Sequence, residues 1–346
     1  MSIQQLIAEI PKSDIHLHLD GSVRPATILA LAEEQGIDLG VKDEADLVRR
    51  LMPGEDCASL EEYLQAFDIT CKVMGTADAL YRAAYELVED CAADKHRYLE
   101  VRWATRVLPQ NIAPQKMVEA VWAGLRDAGE KHNVVARQIL CGMRHEDPKH
   151  GVDTARLAVA SKHLGVVAYD IAGAEAPFPP SLHAESFRIA AEGLIHRTCH
   201  AGEAAGPDFV KEAVIGVGSE RIGHGTRLIQ DEALLHYVID RQIPIEICLT
   251  SNVQTKATSS FESHPLRKYL DLGAKLILCT DNRTVSGVSV EDELNRAVQY
   301  HQLSVDELRQ VTAAGFEAAF LPFEERQALR EQALRDFDAI RASLSL

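Results

Sequence analysis

Eight short apolar segments, each followed by a stretch of helical periodicity, constrain this chain more than any other feature. They lie at 13–17, 98–103, 134–141, 166–171, 197–200, 221–223, 244–248 and 275–280. Between them, apolar residues recur at helical spacing over 115–131, 153–163, 207–215, 231–240 and 264–272. A strand, a helix and a further strand make a parallel crossover unit, and eight such units in series close into a (β/α)8 barrel. The expected architecture is a TIM barrel in one domain spanning residues 1–346.

Two regions exceed the simple count. Residues 21–97 are far longer than a barrel loop of about 2–6 residues. Their helical patterns at 25–35, 59–73 and 77–93 predict a helical insertion over the barrel mouth, useful as a lid. After the last strand, 290–301, 305–319 and 324–344 predict extra C-terminal helices that finish the outer ring and cover its base.

Composition excludes several classes. A net charge of −16 argues against binding a nucleic-acid backbone, which needs clustered Lys and Arg. No stretch approaches the roughly 18 apolar residues of a membrane span. Residues 1–5 lack the basic and apolar regions of a secretory leader, and the seven cysteines form no CxxC pair, so buried thiols and a cytoplasmic location are expected.

The chemistry gathers at strand ends. In Asp14-Ile15-His16-Leu17-His18-Leu19-Asp20, His16 and His18 are two apart, and i and i+2 of a strand share a face. His200 ends the fifth strand and Asp281 the eighth. Three imidazoles and a carboxylate suit Zn²⁺, which accepts nitrogen and oxygen ligands and a water. Glu203 follows His200 by three residues, past Gly202, and is placed as a proton carrier beside the metal. His224, between two glycines at the end of the sixth strand, is either a further ligand or a group that orients hydroxide. His145 and His150 read as a solvated loop, and the remaining eight histidines as surface or cap residues.

The segments HLHLDGSVRP from His16, HAGEAAGP from His200, RIGHGTRL from Arg221, CLTSNVQT from Cys248, HPLRKYLDLG from His264 and CTDN from Cys279 resemble the adenosine/AMP deaminase branch of the metal-dependent amidohydrolase superfamily. The resemblance runs from Asp14 to about Leu321. It implies one Zn²⁺ per chain, held by His16, His18, His200 and Asp281, and hydrolytic deamination of adenosine and 2′-deoxyadenosine in purine salvage. It further implies that Glu203 protonates ring N1, His224 positions the hydroxide, and Asp281 also accepts the water's proton. Gly173 would donate its N–H to ring N3, and Asp20, with His18 nearby, would meet the ribose 5′-hydroxyl. Many members carry Asp-Asp where this chain has Asp281-Asn282; an Asn282 amide donates to ring N7 without an unusual pKa.

The nearest alternative is a deaminase of a modified adenine nucleoside such as aminodeoxyfutalosine, in menaquinone biosynthesis. Related adenine deaminases tend to have Glu at the position of Asp20. A binuclear amidohydrolase commonly needs a carboxylated Lys at the end of the fourth strand, where this chain has Tyr169-Asp170-Ile171-Ala172-Gly173. A nucleoside sensor that has lost activity would not need the intact set of acid, histidines and aspartate. The expected partner is a small purine nucleoside, with no nucleic acid or membrane, and the oligomeric state is left open.

Overall fold

The computed structural model describes residues 2–54 and 57–346; Met1, Glu55 and Asp56, which fall within the expected domain and insertion, lie outside the described residues. All eight expected strands form: β1 (Lys12–His18), β2 (His96–Trp103), β3 (Val135–Met143), β4 (Val166–Ala172), β5 (His196–Ala201), β6 (Arg221–His224), β7 (Ile245–Ile247) and β8 (Leu276–Leu278). They pair in chain order, every pair parallel, with helices between them. The ring closes through a parallel bridge between Leu17 and Asp281. The fold is the expected (β/α)8 barrel.

β7 and β8 are shorter than expected. Cys248 already caps the helix Leu249–Gln254, so Cys248 and Cys279 fall just beyond the strands expected to carry them. All seven cysteines are buried and free.

The insertion contains more helices than expected, and only part of it is a roof. Helices Leu60–Leu64 and Phe67–Val73 replace one expected helix over 59–73 and overhang the barrel mouth. No Gly or Pro breaks the run. Tyr63 turns down instead, its hydroxyl bonding Ser286 Oγ at 2.7 Å and accepting from Asn282 Nδ2 at 3.0 Å, a tertiary constraint with no local signal. Helix Ala77–Ala93 packs on the outer wall against helix Pro114–His132.

Among the helices that escaped the periodicity, two have caps that were legible. Ile3–Glu9 opens with a capping box between Ser2 and Gln5, and Glu44–Leu51 is capped by Asp43. Helix Pro148–Ala160 starts earlier than expected, with Asp147 as N-cap and Pro148 in the first turn. Helices Val290–His301, Val305–Glu317 and Phe323–Ser343 complete the C-terminal set.

The segment between the last two helices plugs the barrel floor. Phe320 stacks on the His196 ring at 4.3 Å and lies 3.6 Å beneath the Arg221 guanidinium. Arg221 Nη1 donates to Ala318 O at 2.8 Å, and Phe320 N–H donates to Glu100 Oε1 at 2.6 Å. Arg221 also pairs with Glu100 and Glu246, all three side chains being essentially inaccessible. Removing one member of such a buried network strands the others. Glu100→Ala is therefore expected to destabilise the fold by about 3–5 kcal/mol in urea unfolding, and Glu100→Gln, which keeps hydrogen-bonding capacity, by less.

Candidate active site

The C-terminal strand ends converge on one point. β1 shifts register against β2 between Asp14 and Leu17, a bulge that re-aims its side chains. Both histidines of β1 then reach His200 at the end of β5: His16 Nε2 lies 3.1 Å and His18 Nε2 3.2 Å from His200 Nε2. Asp281 Oδ1 lies 3.5 Å from His16 Nε2 and 3.3 Å from His18 Nε2. Close approach favours a glycine at 223, since a Cβ there would stand 3.1 Å from both His16 Cε1 and His200 Cα. His224 and Asp281 adopt left-handed backbone, with φ of 64° and 60°. Non-glycine residues in that region carry local strain of the kind concentrated at functional sites.

This geometry fits a metal ion. An ion bonded to nitrogen at ~2.0–2.1 Å sets tetrahedral ligand atoms roughly 3.3 Å apart, the spacing found here. The outer ring nitrogens are backed by carboxylates, as metal-bound histidines are. His16 Nδ1 bonds Glu246 Oε2 at 2.8 Å, and His200 Nδ1 lies 3.0 Å from Asp170 Oδ2. Burial lowers the His16 pKa to about 4, so its inward nitrogen is bare. Although burial opposes it, Asp170 raises the pKa of His200. His224 also offers a nitrogen, within 4.8 Å of the ligand atoms of His16, His200 and Asp281.

The remaining groups surround this cluster. Glu203 is 4% exposed, its Oε2 is 3.7 Å from His224 Nε2, and burial raises its pKa, so the carboxyl retains its proton to higher pH than an exposed glutamate. Asp281 Oδ2 accepts from Ser251 Oγ at 2.6 Å. A cavity of about 360 Å³ rises from the cluster to the roof, within the range of small-molecule sites. Leu60, Tyr63, Leu64 and Phe67 cover it, while Cys141, Met143 and Ala172 form an apolar wall. Asp20, Gly173 and Asn282 all line it. Asp20 is 8% exposed, burial raises its pKa to about 6, and its Oδ1 has no hydrogen-bond partner among the described residues.

Every site residue expected from the sequence lines this cavity except His16, which lies buried behind it against His200 and Asp281. Sequence reasoning missed the groups that hold them. Glu175 accepts from the N–H groups of Gly202, Glu203, Ala204 and Ala205, clamping the loop that carries Glu203. Arg144 holds His200 O at 2.8 Å, and Arg102 bridges Asp170 and Glu246. Strand-end position was a usable signal for Asp170; nothing local marked the others. Several histidines expected at the surface are buried: His96, His183, His264 and His301. His145 lines the cavity, while His150 lies 3.4 Å from Glu146, and neither belongs to the group of metal-capable side chains found among the described residues.

Comparison with known proteins shows the family. The adenosine deaminase family model matches residues 11–335. The chain belongs to the adenosine deaminase family. An adenosine deaminase of Clostridium kluyveri is 34% identical over 341 residues, covering 98% of each chain. One from Clostridium acetobutylicum is 38% identical, covering 92% of this chain and 96% of its own. Among solved structures, an amidohydrolase from Burkholderia ambifaria with bound Zn superimposes with a TM-score of 0.92 at 25% identity, covering 100% of this chain and 96% of that one. The N6-methyl-AMP deaminase of Arabidopsis thaliana gives 0.82 at 30% identity, covering 97% and 98%. The protein is a hydrolytic deaminase of the amidohydrolase superfamily. Among the described residues, no helix is long and apolar enough to cross a membrane.

Asp281 touches two histidines of the cluster and closes the barrel beside them. Asp281→Ala is expected to lose both bound metal, by elemental analysis, and turnover. A folded, inactive variant with a full metal complement would remove Asp281 from the ligand set.

Proposed function

We propose that this single catalytic domain deaminates adenosine and 2′-deoxyadenosine to inosine and 2′-deoxyinosine, using one Zn²⁺ held by His16, His18, His200 and Asp281. The observation that carries the proposal is the buried Glu203, its pKa raised by burial, beside His224 and the ligand cluster at the base of a nucleoside-sized cavity. When bound, zinc lowers the pKa of water to about 7 and so supplies a nucleophile at neutral pH. Glu203 delivers its proton to ring N1, which makes C6 electrophilic. His224 directs the attacking oxygen toward C6, and Asp281 takes the water's proton and passes it to the departing ammonia. Gly173 N–H meets ring N3. Asn282 already gives one amide hydrogen to Tyr63, so its second hydrogen serves ring N7.

Asp20 governs the 5′ end. Its unpartnered carboxylate oxygen accepts from a hydroxyl and repels a phosphate. The cavity lining includes Asp20, Glu61, Asp68, Glu203 and Asp281, and among the described residues no Lys or Arg. This lining favours a nucleoside over a nucleotide, and separates the proposal from the N6-methyl-AMP activity of the Arabidopsis relative. A 5′-extended nucleoside such as aminodeoxyfutalosine lacks that hydroxyl and leaves the same carboxylate without a donor.

Glu203→Gln retains shape and loses the proton. It is expected to lower kcat by about 10²–10⁴-fold with zinc still bound, and near-normal turnover would sink its role as the acid. Kinetics on a panel of adenosine, 2′-deoxyadenosine, AMP, N6-methyl-AMP and aminodeoxyfutalosine test the substrate. Turnover is expected for the first two alone, and Asp20→Ala is expected to cost adenosine about 1–3 kcal/mol in kcat/KM. A preference for either 5′-substituted class would overturn the assignment.

A further inference from the structure

His224 has two roles open to it. With a bare Nε2 it would ligate the metal beside His16, His200 and Asp281; with a hydrogen on Nε2 it would donate to the attacking oxygen instead. The far side of the ring decides between them. We infer that His264 and Asn252 act as positioning residues that hold His224 in the tautomer with hydrogen on Nε2, making it a donor and excluding it from the ligand set.

The chain of assignments begins at an atom that can only donate. Leu266 N–H donates to His264 Nδ1 at 3.1 Å, so that nitrogen is bare. His264 is 3% exposed, and burial, helped by His301, lowers its pKa to about 3, so the ring is neutral and its hydrogen is on Nε2. That Nε2–H lies 3.1 Å from one terminal atom of the buried Asn252 amide, which must then be the carbonyl Oδ1. The other end of the amide is therefore NH₂, and it lies 3.0 Å from His224 Nδ1. An N–H pointing at Nδ1 requires a bare Nδ1, and an imidazolium there would set two donors against each other. The His224 hydrogen is thus on Nε2, on the side facing Glu203 Oε2 at 3.7 Å. Reversing the Asn252 amide would turn donor on donor at His264, so the network has one consistent assignment.

The support behind Asn252 is rigid. It is carried by helix Leu249–Gln254, whose first N–H groups, of Leu249 and Thr250, are taken by the buried Glu293 carboxylate. Asn252 N–H itself bonds Cys248 O at 2.8 Å. The inference rests on the proposed deamination only for the identity of the oxygen that His224 meets; the tautomer stands on the hydrogen bonds alone.

The test is ¹⁵N NMR of histidine-labelled, zinc-loaded protein, with the His224 signals identified by their loss in His224→Gln. A hydrogen-bearing Nε2 and a bare Nδ1 on His224 are expected. A hydrogen on Nδ1, or a bare Nε2 shifted by the metal, overturns the inference. Asn252→Asp replaces the donor with an acceptor of the same shape. It should move the hydrogen to Nδ1 and lower kcat by roughly 10²–10³-fold, the range for losing one oxyanion donor, with KM little changed and zinc retained. An unchanged tautomer and kcat in that variant overturn it. His264→Gln, whose amide N–H can still reach Asn252, should retain several-fold more kcat than His264→Leu; equal losses count against the relay. If the wild-type tautomer is as assigned but no purine nucleoside is deaminated, the functional reading fails and the positioning does not.

Discussion

The seam between the first and last strands is the constraint on which the site depends. Asp281 N–H donates to His16 O at 2.8 Å, and His18 N–H donates to Asp281 O at 2.7 Å. These bonds close the barrel, and the same residues supply three of the four proposed metal ligands. Closure and ligand geometry are therefore one event. Asp14 reinforces it from below, its Oδ2 accepting from Thr280 N–H at 3.1 Å and from the Thr280 hydroxyl at 2.6 Å. Left-handed backbone at Asp281 is tolerable because the flanking bonds over-determine it.

Beneath the seam the interior is charged rather than filled with branched apolar side chains. Glu100 and Arg221 sit over the Phe320 plug, Arg221 reaches Glu246, and Arg102 joins Glu246 to Asp170. Glu246 and Asp170 then face His16 and His200. A ladder of paired charges thus runs from floor to ligands. Such pairs add little net stability compared with apolar packing, but breaking one leaves an uncompensated charge. They hold two imidazoles in one ring orientation, which a hydrocarbon core cannot do.

The substrate side is built differently. Roof and wall are largely apolar, and the acids at the mouth belong to separate elements: Asp20 after β1, Glu61 and Asp68 on the insertion. Glu175 governs the one loop that must move least. By taking four successive N–H groups it fixes Glu203 relative to His200. Glu203 and Asp20 are buried acids with raised pKa values, and no Lys or Arg among the described residues lines the cavity beside them, a setting that suits the neutral nucleoside proposed as substrate.

The sequence by itself determined the eight-strand alternation, and with it the barrel and the end at which chemistry would gather. It also determined His16, His18, His200, Glu203, His224 and Asp281, because each stands at or just past a strand end, where the local pattern and barrel geometry suffice to place it. Tertiary structure alone decided what lies behind them. Glu246, Arg102, Glu175 and Asn252 act across more than twenty residues of chain, and His264 across twelve, through hydrogen bonds that no periodicity encodes. His264 shows the difference: in sequence it opens a helix like any surface histidine, and only the fold buries it against Asn252. Local patterns record which face a residue turns to the core; they do not record which distant polar atom meets it there.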